Sequence, residues 1–213
     1  MSGAPGGRFP GFSAAAQAGH WDPVTAGAVL GRLGRPPDPR FFTPAEQATA
    51  TALCGRLLGQ GRGPDGGPGG GPPVPVVHMI DARLAGQETD GWRYADLPED
   101  GQAWRDTLAA LDHDARDKHG LGFAACPPAD QDDLIQAVQD LGSGPWHGLP
   151  ASRVWSLWTR YACTAFYSHP QAWDEIGFPG PAYPRGYKNR GVGRLEPFEV
   201  PDARPGDDPV SDA

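Results

Sequence analysis

The residues best suited to chemistry lie in one short stretch near the C-terminus. His169 is followed by two carboxylates, Asp174 and Glu175, and Tyr167 stands just before it. A histidine beside a carboxylate can transfer protons, so this group is compatible with a small acid–base site, with or without a metal ion. The interpretation we prefer is structural. It has His169 interacting with the last carbonyls of a helix and Asp174 accepting backbone N–H bonds.

A second group of ionisable residues is less well placed for a site. His113 and His119 stand among Asp112, Asp114 and Asp117. On a helix, two residues six positions apart point in different directions, so the two imidazoles would not converge on one metal ion. The group therefore indicates a solvated helix face.

The remaining reactive residues do not form a recognisable catalytic motif. The three cysteines, Cys54, Cys126 and Cys163, include no C-x-x-C pair, which argues against a zinc knuckle or a disulfide framework. Cys54 and Cys163 fall on apolar helix faces and are predicted to be buried. The sequence has no G-x-S-x-G nucleophile motif and no G-x-G-x-x-G motif opening a strand–helix unit. It therefore predicts no catalytic residue and no cofactor bound by this chain.

The same C-terminal stretch contains an unusual number of rings. From Phe166 to Tyr187 it reads F-Y-S-H-P-Q-A-W-D-E-I-G-F-P-G-P-A-Y-P-R-G-Y. Its four prolines each remove a backbone donor, so we expect an extended strap rather than a helix. Six large rings would be costly to leave in water, so they should be covered by protein.

Two kinds of protein surface could cover this strap: the chain's own helices or another protein. Binding energy at interfaces is concentrated in a few Trp, Tyr and Arg side chains, which the strap supplies. The candidate partner-binding residues are Tyr167, His169, Trp173, Phe178, Tyr183, Arg185 and Tyr187.

The elements that would position these residues are predicted to be helices. Apolar residues recur at helical spacing in five segments, and no segment alternates with the period of a strand. The helices are expected from Thr43 to near Gln60, over Val76–Leu84, from Trp104 to near Gly120, over Pro128–Leu141, and from near Pro150 to before Pro170. The fold class is therefore all-α, a small bundle of about five helices.

Gly and Pro divide the chain into regions, since 31 glycines and 25 prolines exceed the usual share of a globular protein. Residues 1–38 are predicted to be a disordered Gly/Ala/Pro-rich arm. Residues 39–200 form the helical domain, with the strap at 166–200. Residues 201–213 form a disordered acidic tail.

The net charge of −8 argues against a nucleic-acid-binding surface. The segment Asp81–Asp140 contains fourteen acidic and five basic residues. The segment Arg185–Arg194 contains four basic residues and no acidic one. An acidic body with a basic strap could be steered onto a partner. No apolar run approaches the roughly 20 residues that span a bilayer, so direct membrane insertion is not expected.

The N-terminus has neither a twin-Arg pair nor an apolar signal segment, which predicts a cytoplasmic chain. The alternative is a periplasmic location, reached by export together with a partner that carries a signal.

Three stretches of the sequence resemble the gluconate 2-dehydrogenase subunit 3 family. They are F-F-T-P-A-E at the first helix, T-L-A-A-L-D-H-D-A-R-D-K-H-G-L-G-F leading into Q-D-D-L-I-Q-A-V, and the strap with its continuation L-E-P-F-E-V. Together they extend from about Phe41 to Val200.

The resemblance implies a non-catalytic accessory subunit. Such a subunit binds and stabilises, or helps to export, a large FAD-dependent sugar or sugar-acid dehydrogenase of the glucose-methanol-choline type. FAD belongs to the large subunit, and a cytochrome c subunit often passes the electrons onward. Many members carry a twin-Arg signal, which this N-terminus lacks. The competing hypotheses are a stand-alone helical enzyme using a site around His169 and a purely structural protein.

Overall fold

The computed structural model describes residues 9–60, 73–189, 191 and 193–201. In chain order its helices are α1 (Pro23–Gly31), α2 (Pro44–Leu57), α3 (Val76–Ala85), α4 (Asp100–His119), α5 (Pro128–Asp140), α6 (Ala151–Tyr167) and α7 (Pro170–Ile176). Short 3-10 helices cover Ala14–His20 and Phe123–Ala125. The all-α prediction is confirmed.

The chain divides into two compact units. The central unit comprises residues 36–166 and contains α2 to α6. The terminal unit combines the described residues up to 35 with those from 167 onward, and it contains α1 and α7. A segment near the start of the sequence therefore folds together with one near its end.

The five predicted helices are those of the central unit. α2 begins with a capping box, in which Thr43 Oγ1 accepts the N–H of Glu46 and the Glu46 carboxylate accepts the N–H of Thr43. α4 begins at Asp100, four residues before the first expected apolar position, and ends at Gly120, whose φ of 71° suits a glycine. The capping and stop signals thus place helix ends more firmly than the apolar pattern does.

A buried carboxylate holds the segment that leads into α2. Asp81 of α3 accepts the backbone N–H groups of Arg40, Phe41 and Phe42 at 2.6, 2.9 and 2.8 Å. Because Asp81 is almost fully buried, these three bonds satisfy a charge that could not otherwise leave water.

Aromatic residues fill the core of the central unit. Trp104 of α4 and Trp158 of α6 are fully buried, and Tyr161 packs edge-on against Trp104 at 5.8 Å between ring centroids. The indole N–H of Trp158 donates to Thr107 Oγ1 at 3.0 Å, and Tyr161 donates its hydroxyl to Asp100 at 2.7 Å. The polar groups of Trp158 and Tyr161 therefore have partners, whereas the buried indole N–H of Trp104 has none among the described residues.

One feature of the central unit departs from the sequence prediction, because a short antiparallel hairpin precedes α6. Strands β1 (Pro145–Trp146) and β2 (Leu149–Pro150) pair Pro145 with Pro150 and Trp146 with Leu149. His147 and Gly148 form the turn, with φ of 46° and 82°. Strands of two residues are too short to show an alternating pattern in a sequence.

The N-terminal region is also ordered where the structure describes it, so the predicted disorder of residues 1–38 is wrong for residues 9–38. Asp22 caps α1 by accepting the N–H groups of Val24 and Thr25, with Pro23 at the first helical position. Residues 1–8 and 61–72 lie outside the described residues, as do residues 202–213 of the predicted tail.

α7 corrects the prediction that the strap contains no helix. Pro170 occupies the first helical position, where a missing N–H has no helical acceptor to lose. The helix ends at Gly177, before Pro179. Proline therefore starts this helix instead of preventing it.

Candidate functional site

His169 is a structural residue buried at the start of α7, with 2% of its surface exposed. Its Nδ1 accepts the N–H of Gln171 at 3.3 Å, and its Nε2 lies 2.8 Å from the carbonyl oxygen of Arg32. Since a carbonyl can only accept, Nε2 carries the proton and the ring is neutral. His169 thus caps the helix that follows it and bonds to the end of α1, which corrects the predicted contact with the preceding helix.

The surroundings of His169 disfavour acid–base chemistry. Burial lowers the pKa of this side chain, and the positive charge of Arg32 adds to the shift, while the bond to the Arg32 carbonyl opposes it. Both ring nitrogens are engaged with backbone groups, so neither is available to a substrate or a metal ion. The arrangement serves to join α1 to α7 within the terminal unit.

The neighbouring carboxylates also serve structure. Asp174 accepts the N–H of Ala14 at 2.6 Å and so holds the first turn of the 3-10 helix, in line with its predicted role as a backbone acceptor. Burial raises the pKa of Asp174, and burial together with the charge of Asp174 raises the pKa of Glu175. Over the described parts of the chain, no three His, Cys, Asp or Glu side chains form a group that could hold a metal ion.

Trp173 lies in the core of the terminal unit instead of on its surface. It packs with Trp21, Ala14 and Val29, and its indole N–H donates to the carbonyl of Tyr167 at 2.7 Å. Two of the seven candidate partner-binding residues, His169 and Trp173, are therefore covered by the chain itself. We remove them from the candidate surface.

Two glycines allow the strap to approach the N-terminal segment. Gly180 has φ of 79°, and a Cβ there would lie 2.4 Å from Cζ2 of Trp21. Gly177 has φ of 67°, and a Cβ would lie 2.6 Å from the ring of Phe9. Both positions need glycine for its conformation and for its lack of a side chain.

The other candidate residues lie at or near the surface of the terminal unit. Tyr167, Phe178, Tyr183 and Tyr187 are exposed, Tyr183 by 67%. Arg185 is half-buried, with its guanidinium carbon 3.9 Å from the centre of the Phe198 ring. Their role in binding a partner remains a prediction.

A groove of about 650 Å³ runs between some of these side chains. It is lined by Phe9, Ile176, Phe178, Tyr187 and Leu195, together with backbone and side chains of residues 199–201. The loop that contributes Leu195 is fixed by Glu196, whose buried carboxylate accepts the N–H groups of Lys188 and Asn189. The groove is lined mainly by apolar residues, with Glu199 as its one acidic residue.

Exposed apolar side chains are concentrated in the terminal unit. Of the twelve large ones among the described residues, nine belong to this smaller unit: Val24, Leu30, Leu33, Tyr167, Ile176, Phe178, Tyr183, Tyr187 and Leu195. Sequence reasoning missed Ile176 and Leu195, although Ile176 lies within the ring-rich motif and Leu195 begins its continuation L-E-P-F-E-V. It also missed Phe9, since nothing local relates that residue to Gly177.

The group formed by His113, His119 and the aspartates around them lies in the central unit, and its members pair with nearby side chains. His113 pairs with Asp117 on one helix face, and Asp114 accepts hydrogen bonds from Trp146 and His147. Burial raises the pKa of Cys54 to about 12, so its thiol is inert.

Cys163 is exposed, and the prediction that it is buried is wrong.

No helix in the described residues is both long and apolar enough to cross a bilayer.

Comparison with known families agrees with the resemblance seen in the sequence. A family model described as gluconate 2-dehydrogenase subunit 3 matches residues 44–180, from the start of α2 into the strap. No curated protein and no solved structure is significantly similar to the chain. Because the match covers more than half of the 213 residues, the chain belongs to the gluconate 2-dehydrogenase subunit 3 family.

Proposed function

We propose that the chain is a non-catalytic accessory subunit that binds and stabilises a FAD-dependent sugar or sugar-acid dehydrogenase. The groove and exposed rings of the terminal unit would form the contact. The family supports membership of a dehydrogenase complex. FAD would belong to the large subunit, and a cytochrome c subunit would be a further member of the complex.

The observation that carries this proposal is the concentration of exposed apolar side chains on the terminal unit. Contiguous apolar surface is uncommon on a monomer and marks interaction sites. Tyr187 in the groove lining is of a residue type that often dominates binding energy, and the apolar side chains around it add buried area. Among its described residues, the larger central unit has only three exposed large apolar side chains, Trp92, Leu121 and Leu141.

The geometry gives less support to a stand-alone enzyme. That hypothesis requires His169 to accept or release a proton, and both its ring nitrogens are bonded to backbone groups. In the proposal, the compartment follows from the partner: a dehydrogenase with an export signal would take the bound chain with it.

A matched pair of leucine variants tests the proposed surface. Leu195→Ser changes the groove, whereas Leu141→Ser changes an equally exposed position of the central unit (51% and 44%). Burying half a leucine side chain contributes about 1 kcal/mol, so Leu195→Ser should weaken binding about fivefold. The measurement is the dissociation constant with the purified flavoprotein subunit.

The control should stay within twofold of the unchanged chain, because Leu141 lies outside the proposed contact. Equal affinities for all three chains would contradict the groove as the contact surface. No detectable affinity of the unchanged chain for the flavoprotein would contradict the function itself.

A further inference from the structure

The guanidinium of Arg185 is held in a defined orientation within the terminal unit. It stacks on the ring of Phe198 at 3.9 Å, and its Nη1 donates to Gln17 Oε1 at 3.1 Å. A stacked guanidinium with one hydrogen bond is restricted in both position and plane. These two contacts therefore define the conformation of the guanidinium in the free chain.

Two of those donors are unused. Nε and Nη2 of Arg185 are buried, and neither has a hydrogen-bond partner among the described residues. These nitrogens lie on one edge of the guanidinium, the edge that binds a carboxylate through two parallel hydrogen bonds. Buried donors without partners are rare in native structures, so this edge calls for an explanation.

The nearby carboxylates of the loop are engaged with backbone groups. Glu196 accepts the N–H groups of Lys188 and Asn189, and Glu199 accepts the N–H of Glu196 at 2.6 Å. Both oxygens of Glu196 are used, because its second oxygen also receives a side-chain bond from Asn189. These carboxylates therefore stabilise the conformation of the loop itself.

Arg185 lines a cavity of about 560 Å³ that could admit an acidic side chain. Phe12, His20 and Phe198 form part of its wall, and residues 199–201 line both this cavity and the apolar groove. The two spaces are therefore neighbours. The surrounding strap adds the positive charges of Lys188 and Arg194 in a chain whose net charge is −8.

We propose that Arg185 binds the carboxylate of an Asp or Glu side chain of the dehydrogenase subunit, beside the apolar contact in the groove. This inference rests on the proposed function and adds the chemistry of the partner. Because Nε and Nη2 are covered in the free chain, binding entails a turn of the guanidinium toward the cavity. An arginine with an apolar surround would then act as a directional anchor.

Substitution of Arg185 tests the anchor in the full chain. Arg185→Gln should weaken binding to the purified flavoprotein at least tenfold and flatten its dependence on NaCl concentration. Arg185→Lys keeps the charge but loses the two-donor edge, so it should weaken binding several-fold while keeping the salt dependence. Arg93→Gln, an exposed arginine of the central unit, should remain within twofold.

A charge exchange identifies the partner group. Arg185→Glu should abolish binding, and one Asp→Arg or Glu→Arg substitution in the flavoprotein should restore it. Hydrogen exchange of the terminal unit in Arg185→Gln should match that of the unchanged chain, which separates a lost anchor from a misfolded unit.

Three results would overturn the inference without contradicting the proposed function. One is binding of Arg185→Gln within twofold of the unchanged chain, which would leave the proposed function intact. Another is a full Asp and Glu scan of the flavoprotein without any restoration. The third is an Arg185 effect that disappears when Asp202, Asp207, Asp208 and Asp212 are replaced by Asn, since the occupant would then be the chain's own tail. Absence of binding by the unchanged chain would overturn the function and the anchor together.

Discussion

At the scale of single residues, the polar groups of the ring-rich motif mainly hold the backbone. His169 connects the start of α7 to the end of α1, and Asp174 connects α7 to the 3-10 helix at Ala14. Residue types that suit catalysis therefore act here as caps and ties. Whether such a residue acts in catalysis or in capping depends on its partners, and Arg32 and Ala14 are distant from the motif in sequence.

The lowered pKa of His169 predicts a pH-dependent stability of the terminal unit. The unfolded chain takes up a proton near the ordinary histidine value of 6.5, while the folded chain resists protonation until a lower pH. The free energy of unfolding should therefore fall as the pH decreases from 6.5 toward the folded pKa. Hydrogen exchange of residues 9–35 at pH 7.5 and at acidic pH measures this slope.

His169→Asn is the control for that experiment, because asparagine can still cap α7 but does not titrate in this range. Asp174 and Glu175 contribute the opposite slope at lower pH, since raised carboxyl pKa values favour the protonated folded state. Subtracting the pH slope of His169→Asn from that of the unchanged chain removes the contribution of these two carboxylates. Identical slopes would show that His169 does not set the pH dependence.

A second residue-scale prediction concerns Asp81, the buried acceptor in the central unit. Asp81→Ala removes the partner of three backbone N–H groups. It should lower the free energy of unfolding by about 1–3 kcal/mol. Denaturant titration followed by circular dichroism measures the loss.

Asp106→Ala makes the same charge change at an exposed position of α4, where the carboxylate contacts only Gln102 in the hydrogen bonds described. It should cost less than about 0.5 kcal/mol. Equal losses for the two variants would mean that charge, and not the three bonds of Asp81, determines the effect.

At the scale of elements, the terminal unit depends on close contact between the strap and the N-terminal segment. Trp21, which follows the 3-10 helix, approaches Gly180 so closely that no side chain fits between them. The sequence offers two similar glycines for comparison. Gly180 and Gly186 both have positive φ, but a Cβ at Gly186 would meet no atom within 4 Å.

Alanine variants of Gly180 and Gly186 measure how much the contact between Gly180 and Trp21 contributes to stability. Gly186→Ala should cost only the conformational strain, about 1–2 kcal/mol. Gly180→Ala should cost an additional 1–3 kcal/mol or so, because Trp21 must shift. Hydrogen exchange of peptides from residues 9–35 reports both losses, and equal losses would argue against the Trp21 contact.

Much of the helical architecture is predictable because its signals are local. The start of α2 is signalled by Thr43, Pro44 and Glu46, and the end of α4 is signalled by Gly120. The terminal unit is not predictable in this way. Its core joins Ala14, Trp21 and Val29 to Trp173, and a Gly/Ala-rich segment with so few large apolar residues has no core of its own.

The candidate site was predictable in part for the same reason. Residue type singled out Tyr183, Arg185 and Tyr187, which lie at or near the surface. It could not show that Trp173 is buried, because its covering residues come from the other end of the chain. The role of Pro170 was misjudged since only the position within a helix decides whether a proline is tolerated.

At the scale of the whole molecule, the proposed account gives the two units different roles. The central unit is a well-packed helical body in which the described aromatic rings are mostly internal. The terminal unit carries most of the exposed apolar side chains, the groove and the basic strap. A partner subunit would therefore be recognised chiefly by the joined ends of the sequence.

Hydrogen exchange of the full chain, alone and saturated with the purified flavoprotein subunit, tests this claim most directly. The account predicts slower exchange in peptides covering residues 176–178 and 185–199, with α4 and α5 unchanged. Protection confined to the central unit, or no protection anywhere on the chain, would contradict it.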